Sequence, residues 1–171
     1  MKGLIMIAVM LAEGFEELEA LTPVDILRRA GLDVKTVAIG NRTTKGTHGI
    51  SVIADLVADE LALEEVDAVI FPGGMPGATN LDACPFTDKS IEAVTSRGGR
   101  LAAICAAPLV LGRRGLLRSK KATCFPGFEG ELVGAIATGE PVVTDGCITT
   151  GRDMWSAMAF AEELRSLFGD K

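Results

Sequence analysis

The chain has 171 residues, of which 48% are hydrophobic and 23% charged, and its formal net charge at pH 7 is −6. This length predicts one domain spanning residues 1–171, and the composition excludes a disordered chain. The negative charge argues against nucleic acid and against an anionic membrane surface as partners. The longest stretch without a charged residue, 68–81, is too short and too rich in Gly and Pro for a membrane-spanning helix.

The first residues resemble a secretion signal, because a lysine precedes an apolar run. No convincing cleavage site follows that run, and four acidic residues come soon after it: Glu13, Glu16, Glu17 and Glu19. We therefore interpret residues 4–10 as a first β-strand and expect a cytoplasmic protein.

Metal-ligating residues are few, because the chain has four cysteines and one histidine. The cysteines, none of which forms a C-x-x-C pair, are Cys84, Cys105, Cys124 and Cys147. We expect free thiols in a reducing compartment, no zinc site, and no metal or organic cofactor.

Apolar runs alternate with amphipathic segments along the chain. The apolar runs predict strands over residues 4–10, 33–39, 67–71 and 101–104, and a hairpin over 142–145 and 147–150. Residues 46–53 fit an irregular hairpin or a short strand. Helices are predicted over residues 15–30, 59–65, 86–97, 106–112 and 154–168. This alternation predicts an α/β sandwich around a mainly parallel sheet, which binds ligands beyond the carboxyl ends of its strands.

Cys105 is the first candidate for chemistry, because it follows a predicted strand and precedes a predicted helix in the segment 101–108, LAAICAAP. This is the setting of a nucleophile elbow, although the sequence G-x-S-x-G is absent. Amide groups at a helix N-terminus stabilise an anion, so we expect a lowered pKa for this thiol. An inert, buried cysteine is the alternative.

Glu19 is the second candidate. It lies four residues after Phe15, on the apolar face of the first predicted helix, whereas Glu16 and Glu17 point elsewhere. Burial raises the pKa of a carboxyl group, and a protonated carboxyl can donate a hydrogen bond to a thiolate or to an oxidised sulfur. The alternative is a charge at the helix start that reaches solvent.

Two other features have possible roles beside the cysteine. Gly73 and Gly74 follow a buried strand, and their N–H groups can form an oxyanion hole facing Cys105, the alternative being an ordinary tight turn. The only histidine, His48, lies in a Gly-flanked segment typical of an exposed loop. A Cys-His hydrolase is therefore poorly supported, and a Cys-Glu site is better supported.

Together these segments resemble the DJ/ThiJ/PfpI superfamily, and within it the DJ-type, YajL-like branch. The likeness covers nearly the whole chain, and its combination of motifs is highly specific. The matching segments are 14–19 (GFEELE), 23–31 (PVDILRRAG), 72–74 (PGG) with 77–78 (GA) and 80–81 (NL), and 102–108 (AAICAAP).

The resemblance implies a flavodoxin-like three-layer sandwich and a homodimer. It assigns the family's reactive, oxidation-prone cysteine to Cys105, its acid partner to Glu19, and its amide pocket to Gly74 and Ala106. The implied activities are cofactor-free conversion of methylglyoxal to lactate, removal of early glycation adducts, and redox-dependent chaperoning. The implied substrate is a small aldehyde or a glycated molecule.

The sequence departs from parts of the family pattern. Phe125 precedes a proline where some members have a histidine, so a general base is missing and efficient glyoxalase turnover is less expected. His48 stands where relatives often carry an arginine near a dimer-facing pocket, and with Arg28 it is a candidate anion-binding residue. Cys105 is followed by Ala106 and not by the histidine of PfpI-type proteases, so proteolysis is not expected.

Two functional hypotheses stand beside that of an inert α/β protein. In the first, the Cys105 thiolate adds to an aldehyde, the amides of Gly74 and Ala106 hold the oxyanion, and Glu19 moves protons. In the second, the protein is a non-catalytic redox sensor or redox-regulated chaperone whose Cys105 oxidises to a sulfinate. Turnover distinguishes them, because a sensor consumes peroxide once whereas an enzyme cycles.

Overall fold

A computed structural model describes residues 5–169 and shows a seven-stranded sheet between two layers of helices. The strands are β1 (Met6–Leu11), β2 (Asp33–Ala38), β3 (Thr43–Lys45), β4 (Ser51–Ile53), β5 (Leu56–Val57), β6 (Val66–Phe71), β7 (Arg100–Ile104), β8 (Lys121–Ala122), β9 (Ile136–Ala137), β10 (Val142–Asp145) and β11 (Ile148–Gly151). The helices are α1 (Glu17–Arg29), α2 (Gly77–Ala83), α3 (Pro85–Thr95), α4 (Pro108–Arg113) and α5 (Ala157–Phe168). The predicted flavodoxin-like α/β sandwich is confirmed.

The strand order in the sheet is β10-β11-β7-β6-β1-β2-β5. Neighbouring strands are parallel except for the β10–β11 hairpin at one edge. The central strand β1 is fully buried from Ile7 to Leu11. A strand with no solvent-facing side needs apolar residues at consecutive positions, which explains the uninterrupted apolar run in the sequence.

The two faces of the sheet have separate cores. α1 and α5 cover one face through residues such as Leu27 and Phe160, both fully buried. The helices α2, α3 and α4 cover the other face through residues such as Val94 and Leu111. None of the helices in the described part of the chain is long and apolar enough to cross a lipid bilayer.

Several predicted elements differ from the observed ones. The segment 59–65 is not one helix but contains parts of two 3-10 turns, Ala58–Glu60 and Leu63–Glu65, because the intervening residue Leu61 is extended. The helix predicted from 106 begins at Pro108, since Cys105 to Ala107 form a turn. The sequence analysis did not predict α2, β3, β5, β8 or β9. Leu4, the first residue of the first predicted strand, lies outside the described residues.

β3 and β4 form a hairpin of their own, which packs against the start of α1. The Gly14 N–H donates to the Lys45 carbonyl at 2.9 Å, and the Thr47 N–H donates to the Phe15 carbonyl at 2.8 Å. This hairpin includes the predicted irregular segment 46–53 and carries His48 at its turn. It therefore fixes the loop from which α1 begins.

Candidate active site

The predicted site residues meet where the strand order of the sheet reverses, between β1 and β6. This crevice at the carboxyl ends of the strands is where open α/β sheets bind ligands. Glu19 lies in the first turn of α1, Gly73 follows β6, and Cys105 follows β7. A Cβ atom placed on Gly73 would lie 2.6 Å from Glu19 Oε2 and 2.7 Å from Cys105 Cβ, so the three residues are in direct proximity.

Cys105 has a left-handed backbone with φ 65°, which residues other than glycine seldom adopt. Its N–H donates to the Gly151 carbonyl at 2.9 Å, and its carbonyl accepts from the Phe125 N–H at 2.8 Å. The thiol is half-buried and receives hydrogen bonds from the backbone amides of Ala106 and Gly74. A strained turn between a strand and a helix that presents a nucleophile to backbone amides is the geometry of a nucleophile elbow.

Glu19 is completely buried. Its Oε2 accepts a hydrogen bond of 2.9 Å from the Gly73 N–H, and Oε1 has no nitrogen or oxygen partner among the described residues. Burial, together with the negative charges of Glu16 and Asp153, raises the pKa of Glu19 to about 8, although hydrogen bonding to Cys105 and Gly73 acts in the opposite direction. The carboxyl group is therefore largely protonated at neutral pH.

Cys105 and Glu19 form a coupled acid pair. Burial raises the pKa of the Cys105 thiol, an ionised Glu19 raises it further, and the amides of Ala106 and Gly74 partly oppose both effects. The expectation of a lowered thiol pKa is thus wrong, because burial, the largest effect, and the charge of Glu19 outweigh the two amides. A negative charge on either buried group disfavours a negative charge on the other, so the two acids resist double ionisation and titrate as a coupled pair.

The two glycines after β6 have different tasks. Gly73 uses its N–H for Glu19, so the amides that reach the sulfur come from Gly74 and Ala106. Gly74 has φ 88°, and a Cβ atom there would lie 2.5 Å from the Glu16 nitrogen. Close backbone approach and a left-handed conformation therefore both require glycine in this loop.

His48 contacts acidic residues at the start of α1 and not the cysteine. Its Nδ1 lies 2.8 Å from Glu17 Oε2 and 3.7 Å from Glu16 Oε1, and its ring is largely exposed. Hydrogen bonding to Glu17 and the charge of that carboxylate raise the pKa of His48. The ligand atoms of these three residues lie within 4.8 Å of one another, close enough to hold a cation, but the His48–Glu17 hydrogen bond accounts for the grouping.

Arg28 and Phe125 differ in their relation to the site. Arg28 is nine residues beyond Glu19 on α1, about 14 Å along the helix axis, and donates to the Val34 carbonyl and to Asp55. The structure therefore does not bring Arg28 to the cysteine. Phe125 is adjacent through its backbone bond to Cys105, and its half-exposed ring packs edge-on against Phe128 with centroids 6.4 Å apart.

Glu16 and Glu17 are the residues that the sequence analysis missed. Both are buried, with 7% and 5% of their surface exposed, although the helical pattern placed them away from the apolar face. Glu16 caps α1 by accepting the Glu19 N–H, and Glu17 accepts the His48 N–H at 2.7 Å. An acidic residue just before a helix is a known capping signal that could have identified Glu16.

Comparison with known proteins identifies one family. The DJ-1/PfpI family profile matches residues 6–167. Protein DJ-1 homolog B of Arabidopsis thaliana is 37% identical over 156 residues, which cover 90% of this chain and 36% of that protein. The chain thus spans less than half the length of this plant relative.

Two further relatives are similar over most of their length. Deglycase PH1704 of Pyrococcus horikoshii is 33% identical over 128 residues, which cover 72% of this chain and 74% of that protein. The solved structure of oxidized DJ-1 from Toxoplasma gondii has a TM-score of 0.90 and 30% identity, covering 95% of this chain and 90% of that one. Both the sequence and the fold are therefore similar to those of DJ-1 proteins.

Proposed function

Because the chain belongs to the DJ-1/PfpI family, we propose that it is a cofactor-free, cysteine-dependent enzyme that acts on reactive carbonyls, of the glyoxalase or deglycase type. The observation that carries this proposal is the Cys105–Glu19 pair, in which a strained nucleophile lies beside a protonated, buried acid. A nucleophile, a proton donor and two oxyanion-binding amides are the groups that addition to an aldehyde requires.

With methylglyoxal, the Cys105 thiol first loses its proton to solvent. The thiolate then attacks the aldehyde carbon, and the carbonyl π electrons move to oxygen. The amides of Gly74 and Ala106 hydrogen-bond to this oxyanion, and protonated Glu19 neutralises it to give a hemithioacetal. Glu19, now a carboxylate, removes the proton from the former aldehyde carbon to give an enediolate. The hydroxyl proton moves to the neighbouring oxygen, and Glu19 returns its proton to the neighbouring carbon, which leaves a thioester. Water hydrolyses the resulting thioester to lactate and restores the thiol, so the net reaction consumes one water.

A deglycase reaction begins with the same thiol chemistry. An early adduct of methylglyoxal with a protein amine or thiol dissociates reversibly into the free amine or thiol and methylglyoxal. The Cys105 sulfur attacks the released aldehyde, and the subsequent proton transfers are the same. Support for this substrate class comes from the deglycase name of the Pyrococcus horikoshii relative.

The decisive experiment is lactate formation from methylglyoxal without glutathione or added metal. Wild-type protein is compared with Cys105→Ser and Glu19→Gln, and Cys147→Ser serves as a matched control because Cys147 is exposed and outside the site. We expect multiple turnovers in the wild type and the control, and their loss in the two site variants. Absence of turnover in wild-type protein whose Cys105 is verifiably reduced would exclude the glyoxalase mechanism.

A redox sensor or redox-regulated chaperone is the second candidate function. The neighbourhood of Cys105 favours it, because two amides and a protonated carboxyl can hold the oxygens of a sulfinate. The similar Toxoplasma gondii DJ-1 structure is of an oxidized form. If this function holds, limited peroxide adds two oxygens to Cys105 before the other three thiols react, and lactate assays show no turnover.

We also propose that the protein is cytoplasmic and forms a homodimer. The surface that supports pairing is an apolar face beside the start of α1, defined here by Leu18, Ile50, Met154, Trp155 and Met158. Leu18, Ile50 and Met154 line one shallow cavity of about 270 Å³ together with Glu16, Glu17 and His48, and Trp155 is 82% exposed. Exposed apolar residues grouped in this way are typical of a protein-protein contact.

A further inference from the structure

Glu16 joins the two halves of the candidate site, although it does not itself contact the sulfur. Its carboxylate oxygen Oε2 accepts the backbone N–H of Glu19 at 2.8 Å, in a buried hydrogen bond. Its own backbone N–H donates to the Gly73 carbonyl at 2.9 Å. One residue thus connects the helix that carries the acid to the loop that carries the oxyanion-binding amide.

The second of these hydrogen bonds sets the direction of the amide beside the cysteine. The Gly73 carbonyl and the Gly74 N–H belong to one planar trans peptide, so they point in opposite directions. Holding the Gly73 carbonyl toward Glu16 therefore turns the Gly74 N–H away from α1 and toward Cys105, where it reaches the thiol. The space between the Glu16 nitrogen and Gly74 is too small for a Cβ atom, so the contact is tightly defined.

The charge of Glu16 acts on the same site. The charged and titratable groups that face Glu19 are Glu16 at the start of α1, Cys105 after β7, and Asp153 before α5. Both carboxylates disfavour ionisation of Glu19, and Glu16 is the larger of the two influences. Behind Glu16 lies His48, whose Nδ1 is 3.7 Å from Glu16 Oε1 and is also bound to Glu17.

We propose that Glu16 is a positioning residue: its carboxylate fixes Glu19 beside the loop that holds the Gly74 amide, and its negative charge disfavours a second charge there. The proposal concerns the same site as the proposed function. Only its kinetic test rests on that function, because the NMR titration requires no activity. A purely structural cap would stabilise α1 without changing the titration of Glu19, so the titration distinguishes the two roles.

The test uses Glu16→Gln and Glu16→Ala, with Glu17→Gln as the matched control. Glu17 is the adjacent carboxylate and is also buried, but it binds the hairpin turn at His48. It is not among the groups that shift the pKa of Glu19. The Glu19 carboxyl is titrated by carbon-13 NMR of glutamate-labelled protein, and its signal is identified by its loss in Glu19→Gln.

In wild-type protein we expect Glu19 to titrate near pH 8. In Glu16→Gln the midpoint moves to lower pH by roughly 0.5–1 unit, because a nearby like charge is gone while an amide oxygen still accepts the Glu19 N–H. The control Glu17→Gln leaves the midpoint unchanged. An unshifted midpoint in Glu16→Gln would overturn the electrostatic part of the proposal, as would an equal shift in Glu17→Gln.

The positioning of Glu19 by the Glu16 side chain is tested by the kinetics of methylglyoxal conversion. Glu16→Ala removes the acceptor for the Glu19 N–H, and we expect kcat to fall on the order of 10- to 100-fold with little change in KM, since misplaced catalytic groups cost rate. Glu16→Gln restores most of the lost kcat at its own optimal pH. Wild-type kcat in Glu16→Ala, or no recovery in Glu16→Gln, would overturn positioning by the side chain.

Failure of the proposed function is distinguishable from failure of this inference. If wild-type protein shows no turnover, the same variants are compared by the rate of Cys105 alkylation with iodoacetamide, with the other three cysteines replaced by serine. We then expect Glu16→Ala to change the pH dependence of alkylation and Glu17→Gln to leave it unchanged. The NMR titration requires no activity and stands in either case.

Discussion

At the scale of single residues, the backbone of Cys105 is the most constrained feature of the site. A left-handed conformation costs a residue with a Cβ atom roughly 1–2 kcal/mol. The hydrogen bonds to Gly151 and from Phe125 hold this conformation from both sides. The turn thus holds the sulfur away from the axis of β7 and close to the backbone amides at the start of the next turn.

This strain predicts an unusual order of stability between two variants without the thiol. At an ordinary position Ala is more stable than Gly, because Gly gains more freedom on unfolding. At position 105 we expect Cys105→Gly to be more stable than Cys105→Ala by about 0.5–1 kcal/mol, since only Gly adopts φ 65° without cost. Urea denaturation of both variants measures the difference, and greater stability of the Ala variant would contradict the argument.

The buried acid predicts a pH dependence of folding stability. The pKa of Glu19 is about 8 in the folded state against 4.5 for an unperturbed glutamate, so between these pH values the folded protein binds more protons than the unfolded chain. The free energy of unfolding therefore falls as pH rises from about 4.5 to 8, by up to about 1.4 kcal/mol for each unit of pKa shift.

In Glu19→Gln this contribution is absent, so the variant becomes more stable relative to wild type as pH rises. Urea denaturation at pH 5, 7 and 9 measures the trend. A stability difference between the two proteins that stays constant over this range would show that Glu19 is not protonated in the folded state at neutral pH.

At the scale of elements, the β3–β4 hairpin is attached to α1 through one buried carboxylate. Glu17 Oε1 accepts N–H groups from His48 at 2.7 Å and from Ile50 at 3.4 Å, while Oε2 meets the His48 ring. Burial would raise the pKa of Glu17, but the hydrogen bonds from His48 and Ile50 outweigh it and lower the pKa. The Glu17 carboxylate therefore stays ionised near neutral pH and holds the turn of the β3–β4 hairpin through these hydrogen bonds.

Removing this carboxylate should loosen the hairpin turn and leave the sheet intact. In Glu17→Ala we expect faster amide hydrogen exchange at His48 and Ile50, because both N–H groups lose their acceptor. Exchange in the central strand β1 should not change, which serves as the internal control. Unaltered protection of the His48 and Ile50 amides would show that the hairpin is held by its backbone contacts alone.

The elements differ in how well the sequence predicts them, and the reason is physical. Buried parallel strands need unbroken apolar runs, so β1, β6 and β7 are recognisable locally. α2 begins with Gly77 and contains Thr79 and Asn80, weak helix formers, so its helicity depends on packing against the sheet and α4. Segment 59–65 has helical composition, but the extended residue Leu61 divides it into two turns.

The same distinction applies to the site. Cys105 and Glu19 stand in recognisable local patterns, one between strand and helix and the other on an apolar helix face. The burial of Glu16 depends on the loop after β6, and the burial of Glu17 depends on the hairpin turn, both distant in sequence. The family resemblance suggests Arg28 as an anion-binding residue, but its position nine residues beyond Glu19 on α1 separates it from the cysteine.

At the scale of the whole molecule, the apolar face predicts how the proposed dimer can be broken. Leu18 is 51% exposed at the start of α1, beside the exposed Ile50. A charge placed there would have to be desolvated on pairing, which is costly without a partner. We expect Leu18→Glu to be monomeric where wild type is dimeric.

Light scattering after size-exclusion chromatography measures the mass of both proteins. Ile136→Glu is the matched control, because Ile136 is 57% exposed on β9 and lies outside the apolar face. We expect this control to remain dimeric. A dimer in Leu18→Glu, or a monomer in wild type, would contradict the proposed pairing surface.

The hydrogen-bond donors that reach the Cys105 sulfur belong to the main chain of Gly74 and Ala106. Exchanging a side chain does not delete a backbone amide, so most point mutations leave these hydrogen-bond donors in place. Substitutions of the side chains around the cysteine change the size and polarity of its surroundings without removing these donors. A lineage that inherits this backbone can therefore diversify in what it accepts while its reactive centre stays the same.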